Sequence, residues 1–221
     1  MTRPHAIIVG VGPGMGLALA RRFGAGGFRV SLVARRQETL NRYVAALRTR
    51  RNPSSGYVAD AGDWHELEKV LARAEEEHGP CEVLIYNPAG RFVSPLAEVE
   101  PEELMVTLRI NVVGALGAVR AVLPGMRERG KGTILFTGGG LAVRPLPNYG
   151  ALAAGKAAQR SMAQTLALEL TGTGVYVCTV LIEGYVQGGT AFDADRIADE
   201  FWRLHAERPE KTEVIFRGQD G

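Results

Sequence analysis

An apolar run, Ala6-Ile7-Ile8-Val9, leads directly into Gly10-Val11-Gly12-Pro13-Gly14-Met15-Gly16. Glycines at that density let a chain turn tightly and bring backbone N–H groups close to a charged ligand. A helical pattern starts at Gly16, so the turn also opens a helix, whose N-terminus favours a pyrophosphate. A glycine cluster alone is a common structural turn. One that follows an N-terminal strand and opens a helix points to dinucleotide binding by Gly10, Gly12, Gly14, Met15 and Gly16. A second strand pattern ends Val33-Ala34-Arg35-Arg36. An acid at this place would accept hydrogen bonds from ribose hydroxyls. Arg35 and Arg36 instead offer a cationic grip on a 2′-phosphate. NADP(H) is therefore the expected cofactor, with NAD(H) left open.

The elements that must position these residues alternate along the chain. Strands are expected at Ala6–Val9, Phe28–Ala34, Gly56–Ala59, Val83–Tyr86, Thr133–Thr137, Val175–Leu181 and Glu213–Phe216. Helices are expected at Gly16–Phe23, Glu38–Arg50, Asp63–His78, Pro101–Met126, Tyr149–Leu170 and Ala194–His205. Asp63 suits an N-cap and Pro101 a first-turn position. Continuous apolar strands separated by helices imply an α/β fold of the Rossmann type. It is doubly wound: a mainly parallel seven-stranded sheet, helices on both faces, the ligand at the carboxyl ends of the strands. Glu183 to Asp195, with three glycines in thirteen residues, reads as a loop over the site. Phe201 and Trp202 fit an apolar helix face and read as core.

Bulk properties bound the function. The chain has 221 residues, suited to one domain over residues 1–221, with 46 % apolar residues and a formal charge of +2. The densest basic stretch, Arg48 to Arg51, is too short for a nucleic-acid or membrane patch. Cys81 and Cys178 read as reduced, buried thiols. His5, His65, His78 and His205 show no ligand spacing, so no metal is expected. The first apolar run is too short for a signal peptide or a membrane span. The expected compartment is the cytoplasm.

Further residues fall at telling places. Gly10-x3-Gly14-x-Gly16 opens the first helix, and Asp60 follows the third strand. Tyr86-Asn87-Pro88-Ala89-Gly90 follows the fourth strand, Asn111 lies within the long helix, and Lys156 lies in Gly155-Lys156-Ala157-Ala158. In these features the chain resembles a short-chain dehydrogenase/reductase over nearly its whole length. The resemblance implies that Asp60 meets the adenine ring and that the Asn87 segment borders the cofactor. It also implies that Asn111 is catalytic and that Lys156 is both catalytic and bound to the nicotinamide ribose. Asn111 could equally bridge backbone groups where its helix bends. Val9 stands where the family has threonine, and Pro88 leaves its segment's register open by one. Ile182-Glu183-Gly184 replaces the family's Pro-Gly.

The departures bear on chemistry. The family's proton-donating tyrosine lies four residues before the lysine, and its serine thirteen before that tyrosine. Those positions hold Leu152 and Gly139. Leucine supplies no proton. Tyr149, in Pro147-Asn148-Tyr149, lies seven residues before Lys156, and seven helical steps return to within about 20° of the same face. This Tyr-x6-Lys spacing resembles that of enoyl-thioester reductases in the same superfamily. It makes Tyr149 the remaining candidate for proton donation or enolate stabilisation, against the alternative that it caps or packs the helix start. Two functions stand. One is an NADP(H)-dependent oxidoreductase acting on a small-molecule carbonyl or activated double bond. The other is a catalytically silent NADP(H)-binding protein, a redox sensor or partner subunit. The helices at Pro101–Met126 and Tyr149–Leu170 resemble the family's interface pair. With Ala154, Ala157, Ala158 and Ser161 on the second, a homodimer or homotetramer is expected.

Overall fold

The computed structural model describes residues 3–50, 52–90 and 92–218; Arg51, at the end of the basic stretch noted above, lies outside them. The strands are β1 (His5–Val9), β2 (Arg29–Ala34), β3 (Ser54–Val58), β4 (Cys81–Tyr86), β5 (Gly132–Gly139), β6 (Val175–Ile182) and β7 (Glu213–Phe216). Among the described residues they form one seven-stranded sheet in the order β3-β2-β1-β4-β5-β6-β7. Every neighbouring pair is parallel. The order reverses between β1 and β4, which are hydrogen-bonded neighbours. That reversal opens a crevice at the carboxyl ends of both strands.

The helices are α1 (Met15–Ala25), α2 (Gln37–Arg48), α3 (Trp64–His78), α4 (Pro101–Leu108), α5 (Gly114–Glu128), α6 (Gly150–Glu169) and α7 (Ala194–Glu207). Side chains alternate across the sheet, so each strand feeds two cores. Ala6, Ile8, Val30 and Leu32 pack with Leu19 and Phe23 of α1, Leu40 of α2 and Phe201 of α7. Ile7, Val9, Leu84 and Phe136 pack with Leu67 of α3, Val119 of α5 and Ala163 of α6 on the other face. Both faces are apolar, which is why the strand sequences read as unbroken apolar runs. Cys81 and Cys178 are free and buried. Asp63 caps α3, its carboxylate accepting from the Glu66 N–H at 3.0 Å.

The single long helix expected from Pro101 to Met126 is interrupted. Residues 109–113 form a π turn between α4 and α5. The interruption has two visible partners. The Tyr86 hydroxyl donates to the Ile110 carbonyl, and the Asn111 side-chain carbonyl accepts from the Gly90 N–H at 2.9 Å. Such a turn frees carbonyls from the helical ladder, and here the Tyr86 side chain engages one of them.

A buried imidazole sits at the amino end of β1. His5 contacts the Gly79 carbonyl at 2.8 Å and the Ser31 hydroxyl at 2.7 Å. Burial pushes its pKa from 6.5 down to about 4. Between those values the unfolded chain takes up a proton that the folded chain refuses, so stability falls as pH drops through this window. The difference corresponds to about 3 kcal/mol. Urea denaturation at about pH 7 and about pH 4.5 should show it. His5→Gln should remove part of the dependence, since burial pushes His205 down to about 4 as well and lowers His78; an unchanged slope would assign the acid sensitivity to those other groups.

Candidate active site

The site begins where β1 ends. Gly10 has a φ of 83°. The N–H groups of Gly10 and Val11 both donate to the Val33 carbonyl, at 2.9 and 3.1 Å, drawing the end of β2 against the turn. Asn87, just past β4, donates its backbone N–H to Val9 at 3.0 Å and its side-chain amide to the Gly10 carbonyl at 2.8 Å. The turn's glycines divide into two kinds. A Cβ on Gly10 would lie 2.7 Å from Pro88, and one on Gly16 would lie 2.6 Å from the Val11 Cα. A Cβ on Gly12 or Gly14 would meet no protein atom within 4 Å. Gly10 and Gly16 are thus demanded by packing, and Gly12 and Gly14 leave the backbone open to a ligand. Gly14 is also the N-cap of α1, with no side-chain bond to the helix. The first N–H groups of α1, from Met15 onward, therefore lack side-chain capping, as an anion site requires.

Arg35 and Arg36 follow β2 on the same side, both exposed and without partners among the described residues. Asp60 follows β3 and is exposed. Its carboxylate accepts from the Gly62 N–H, and its own N–H donates to Glu66, each at 2.8 Å. The open glycines, the bare helix terminus and the two free cations together fit a phosphorylated dinucleotide.

Beyond Met15 and Asn87 lies a cleft of about 780 Å³, whose walls include Thr137, Gly139, Arg144, Tyr149, Leu152, Lys156, Glu183 and Tyr185. Lys156 projects from α6 and is nearly fully buried. Its ammonium donates to the Thr137 carbonyl at 2.6 Å and to Gln159 Oε1 at 3.0 Å. Burial pushes its pKa down to about 8. Tyr149 is the N-cap residue of α6; its carbonyl accepts from Ala153 at 2.8 Å, closing the first helical turn. Its hydroxyl lies 3.4 Å from the Tyr185 hydroxyl. Tyr149 thus caps the helix with its backbone and presents its side chain to the cleft.

Asn111 is placed differently. It is fully buried in the π turn, behind the cleft wall rather than on it. Its Oδ1 bridges to Gly90, and its Nδ2 has no partner. Helix α6 presses so close that a Cβ on Gly155 would lie 2.5 Å from that nitrogen. The Asn111 side chain thus holds one backbone group, the Gly90 N–H, and ties the π turn to the segment after Asn87. Gln159, fully buried and bonded to Lys156, has no counterpart in the expectations; its only sequence signal is the three-residue spacing on α6. Glu183, in the family's proline position, uses an N–H that proline lacks, donating to Phe216 at 3.0 Å and extending the β6–β7 pairing.

Comparison with known sequences places this geometry. The sequence profile described as short chain dehydrogenase matches residues 4–199. The chain belongs to the short-chain dehydrogenase/reductase family. It is 31 % identical over 173 residues to the pig (Sus scrofa) protein Dehydrogenase/reductase SDR family member 4, covering 78 % of this chain and 62 % of that relative. It is 30 % identical over 207 residues to a putative ketoacyl reductase of Streptomyces coelicolor, covering 91 % of this chain and 78 % of that one. Among solved structures, the fold matches L-sorbose reductase of Gluconobacter frateurii, complexed with NADPH and L-sorbose, at a TM-score of 0.90 and 21 % identity, covering 99 % and 96 % of the two chains. A metagenomic short-chain oxidoreductase in complex with NADP matches at 0.88 and 24 % identity, covering 97 % of each chain. The parallel seven-stranded sheet of this chain is the fold it shares with those structures.

The two kinds of glycine give separable outcomes. Gly12→Val should fold with an unchanged melting temperature and bind NADPH at least about ten-fold more weakly, since the new side chain fills only ligand space. Gly16→Ala should lower the melting temperature, since its Cβ meets backbone. Thermal melts and NADPH fluorescence titrations check both; a Gly12→Val protein with undiminished affinity would remove the turn from the binding site.

Proposed function

We propose that this protein is an NADP(H)-dependent oxidoreductase acting on a carbonyl or an activated carbon–carbon double bond of a small molecule. The observation that carries the reading is a single cleft that joins the dinucleotide end, at Met15 and Asn87, to Lys156 and Tyr149. The family's NADP-bound and NADPH-bound relatives support the choice of cofactor. So do Arg35 and Arg36, which carry no neighbouring acid to reject a 2′-phosphate.

A nicotinamide cofactor held at this site would supply the hydride for the reduction. The protein must then deliver one proton, to the carbonyl oxygen or to the carbon beside it. Leu152 is apolar and delivers none. The Tyr149 phenol is the proton donor of this proposal, or the hydrogen-bond donor that holds an enolate oxygen. Lys156, its ammonium held by Thr137 and Gln159, would hold the nicotinamide ribose. Asn111 acts through the backbone, as a positioning residue for the segment after β4. A positioned general acid is worth roughly 10²–10⁴-fold in rate.

A second reading, a silent NADP(H)-binding protein, is favoured by Leu152 and Gly139 in the donor and substrate-oxygen positions. The proposed partners are a small molecule and further copies of the chain, as a homodimer or homotetramer, rather than nucleic acid or a membrane. Met105 and Val106 of α4, Leu116 of α5 and Leu168 of α6 are exposed apolar side chains. The stretch Pro101–Glu128 is long and apolar enough to cross a bilayer, yet 44 % of its apolar window is buried inside the protein. A neighbouring copy covering that exposed apolar face accounts for both facts. The free, buried thiols suit a reducing compartment, and the cytoplasm is proposed.

The test runs in two stages. Fluorescence titration should show NADPH binding at least about ten-fold more tightly than NADH, with Arg35→Ala narrowing the gap; equal affinities in the wild type would end the NADP(H) preference. A panel of enoyl thioesters, quinones and ketones then identifies turnover. Tyr149→Phe should lose about ten- to a thousand-fold in turnover with little change in NADPH affinity. A Tyr149→Phe enzyme as fast as wild type would make Tyr149 structural. Tight NADPH binding without turnover across the panel would favour the silent reading. Light scattering that gives a 23.8 kDa monomer at micromolar concentration would reject the oligomer.

A further inference from the structure

One arginine in the cleft is placed but not neutralised. Arg144 follows a short helical turn at residues 140–142, and its backbone N–H donates to the Gly140 carbonyl at 2.9 Å. Among the described residues its guanidinium makes one ion pair, from Nη2 to Glu183 Oε1 at 2.8 Å. The other oxygen of Glu183 is taken by Arg217, whose Nε lies 3.3 Å away. Glu183 is itself fixed by its backbone bond to Phe216 and by burial, its side chain being only 13 % exposed. One carboxylate is thus shared between two guanidiniums, and the trio carries one net positive charge. The Arg144 side chain remains 72 % exposed, with donors that no described residue uses.

The surroundings restrict what those donors face. Leu141, Leu146, Leu152 and Val186 line the same cleft, and Leu146 and Val186 are exposed apolar side chains. A ligand that filled this space would be apolar along most of its length and anionic where it met Arg144. A guanidinium with free N–H groups matches a carboxylate in shape as well as charge. The tether to Glu183 holds the guanidinium in place without using up its fork.

We propose that Arg144 is the anion-recognising residue of this cleft, and that the substrate carries a carboxylate on an apolar body. The proposal rests on the oxidoreductase reading for the word substrate alone; recognition of the carboxylate is a property of the site and is measured without turnover. The substrate class is then an apolar keto acid or unsaturated acid, bound by its carboxylate at Arg144 with its reacting carbon toward Lys156 and Tyr149.

Calorimetric titration of NADP+-saturated protein tests it, with hydrocinnamate and hydrocinnamide as probes that differ only in charge. Wild type should bind the acid at least about ten-fold more tightly than the amide. Arg144→Met, at an exposed position, should lose that preference and leave amide affinity unchanged. Arg144→Lys should keep part of it. Equal affinities in wild type, a preference that survives in Arg144→Met, or no binding of the acid at millimolar concentration would each overturn the proposal. Phenethyl phosphate bound about ten-fold more tightly than hydrocinnamate would also overturn it, in favour of a phosphate ester. Failure of NADP+ itself to bind faults the cofactor assignment, and the acid and amide are then compared on the free protein with the same outcomes. Failure of the turnover panel faults the oxidoreductase reading and leaves the calorimetric result to decide the role of Arg144.

Discussion

The carboxyl ends of three strands are tied together at Gly10. The Val33 carbonyl at the end of β2 accepts two N–H bonds from the turn, and Asn87 at the end of β4 grips the Gly10 carbonyl. Pro88 fills the space where a Gly10 side chain would have to go. Backbone polar groups at strand ends must find partners or face water. Here they satisfy one another around a residue with positive φ. The remaining site geometry follows from that knot. It points α1 at the place where β1 and β4 part, puts the arginines after β2 beside the turn, and starts the Asn87–Gly90 segment on its course toward Asn111.

The fold was legible because both sheet faces are buried. Unbroken runs such as Ala6-Ile7-Ile8-Val9 and Val83-Leu84-Ile85-Tyr86 read as strands of a parallel sheet, and the spacing between runs left room for crossover helices. Asp63 announced a helix start through its residue type. A bend at Asn111 was one reading of that buried amide, but the π turn itself was not legible in the pattern from Pro101 to Met126. Its causes, the Tyr86 hydroxyl and the Gly90 N–H, come from distant parts of the chain. Element ends moved by a few residues for a related reason: β5 and β6 run on to Gly139 and Ile182 because each finds a ladder partner there.

The site was legible unevenly. Glycine motifs are local, so the turn could be read, but spacing alone did not separate the glycines that packing demands from those that leave space open. Tyr149 caps the helix that carries Lys156 rather than lying within it, and both line the cleft. Arg144 and Glu183 enter through a tertiary contact, because the chain after β5 returns beside the end of β6. Lys156 and Gln159 are three residues apart on α6, a spacing visible in the sequence, but what buries the pair is the approach of α6 to β5, where Lys156 meets the Thr137 carbonyl. That approach has no signature in one sequence.

The π turn also has a genetic side. Such a turn is a helix with one residue too many, and each α-helical residue advances the chain by about 100°. Loss of a single codon between those for Arg109 and Val113 would let the helix run on without the wide turn, and because that turn already absorbs the extra residue, α4 and α5 would keep nearly their present relative rotation. What would be lost is local: the freed Ile110 carbonyl that Tyr86 engages and the placement of Asn111 against Gly90. The site should therefore tolerate substitution on the exposed side of α4 far more readily than deletion within the turn.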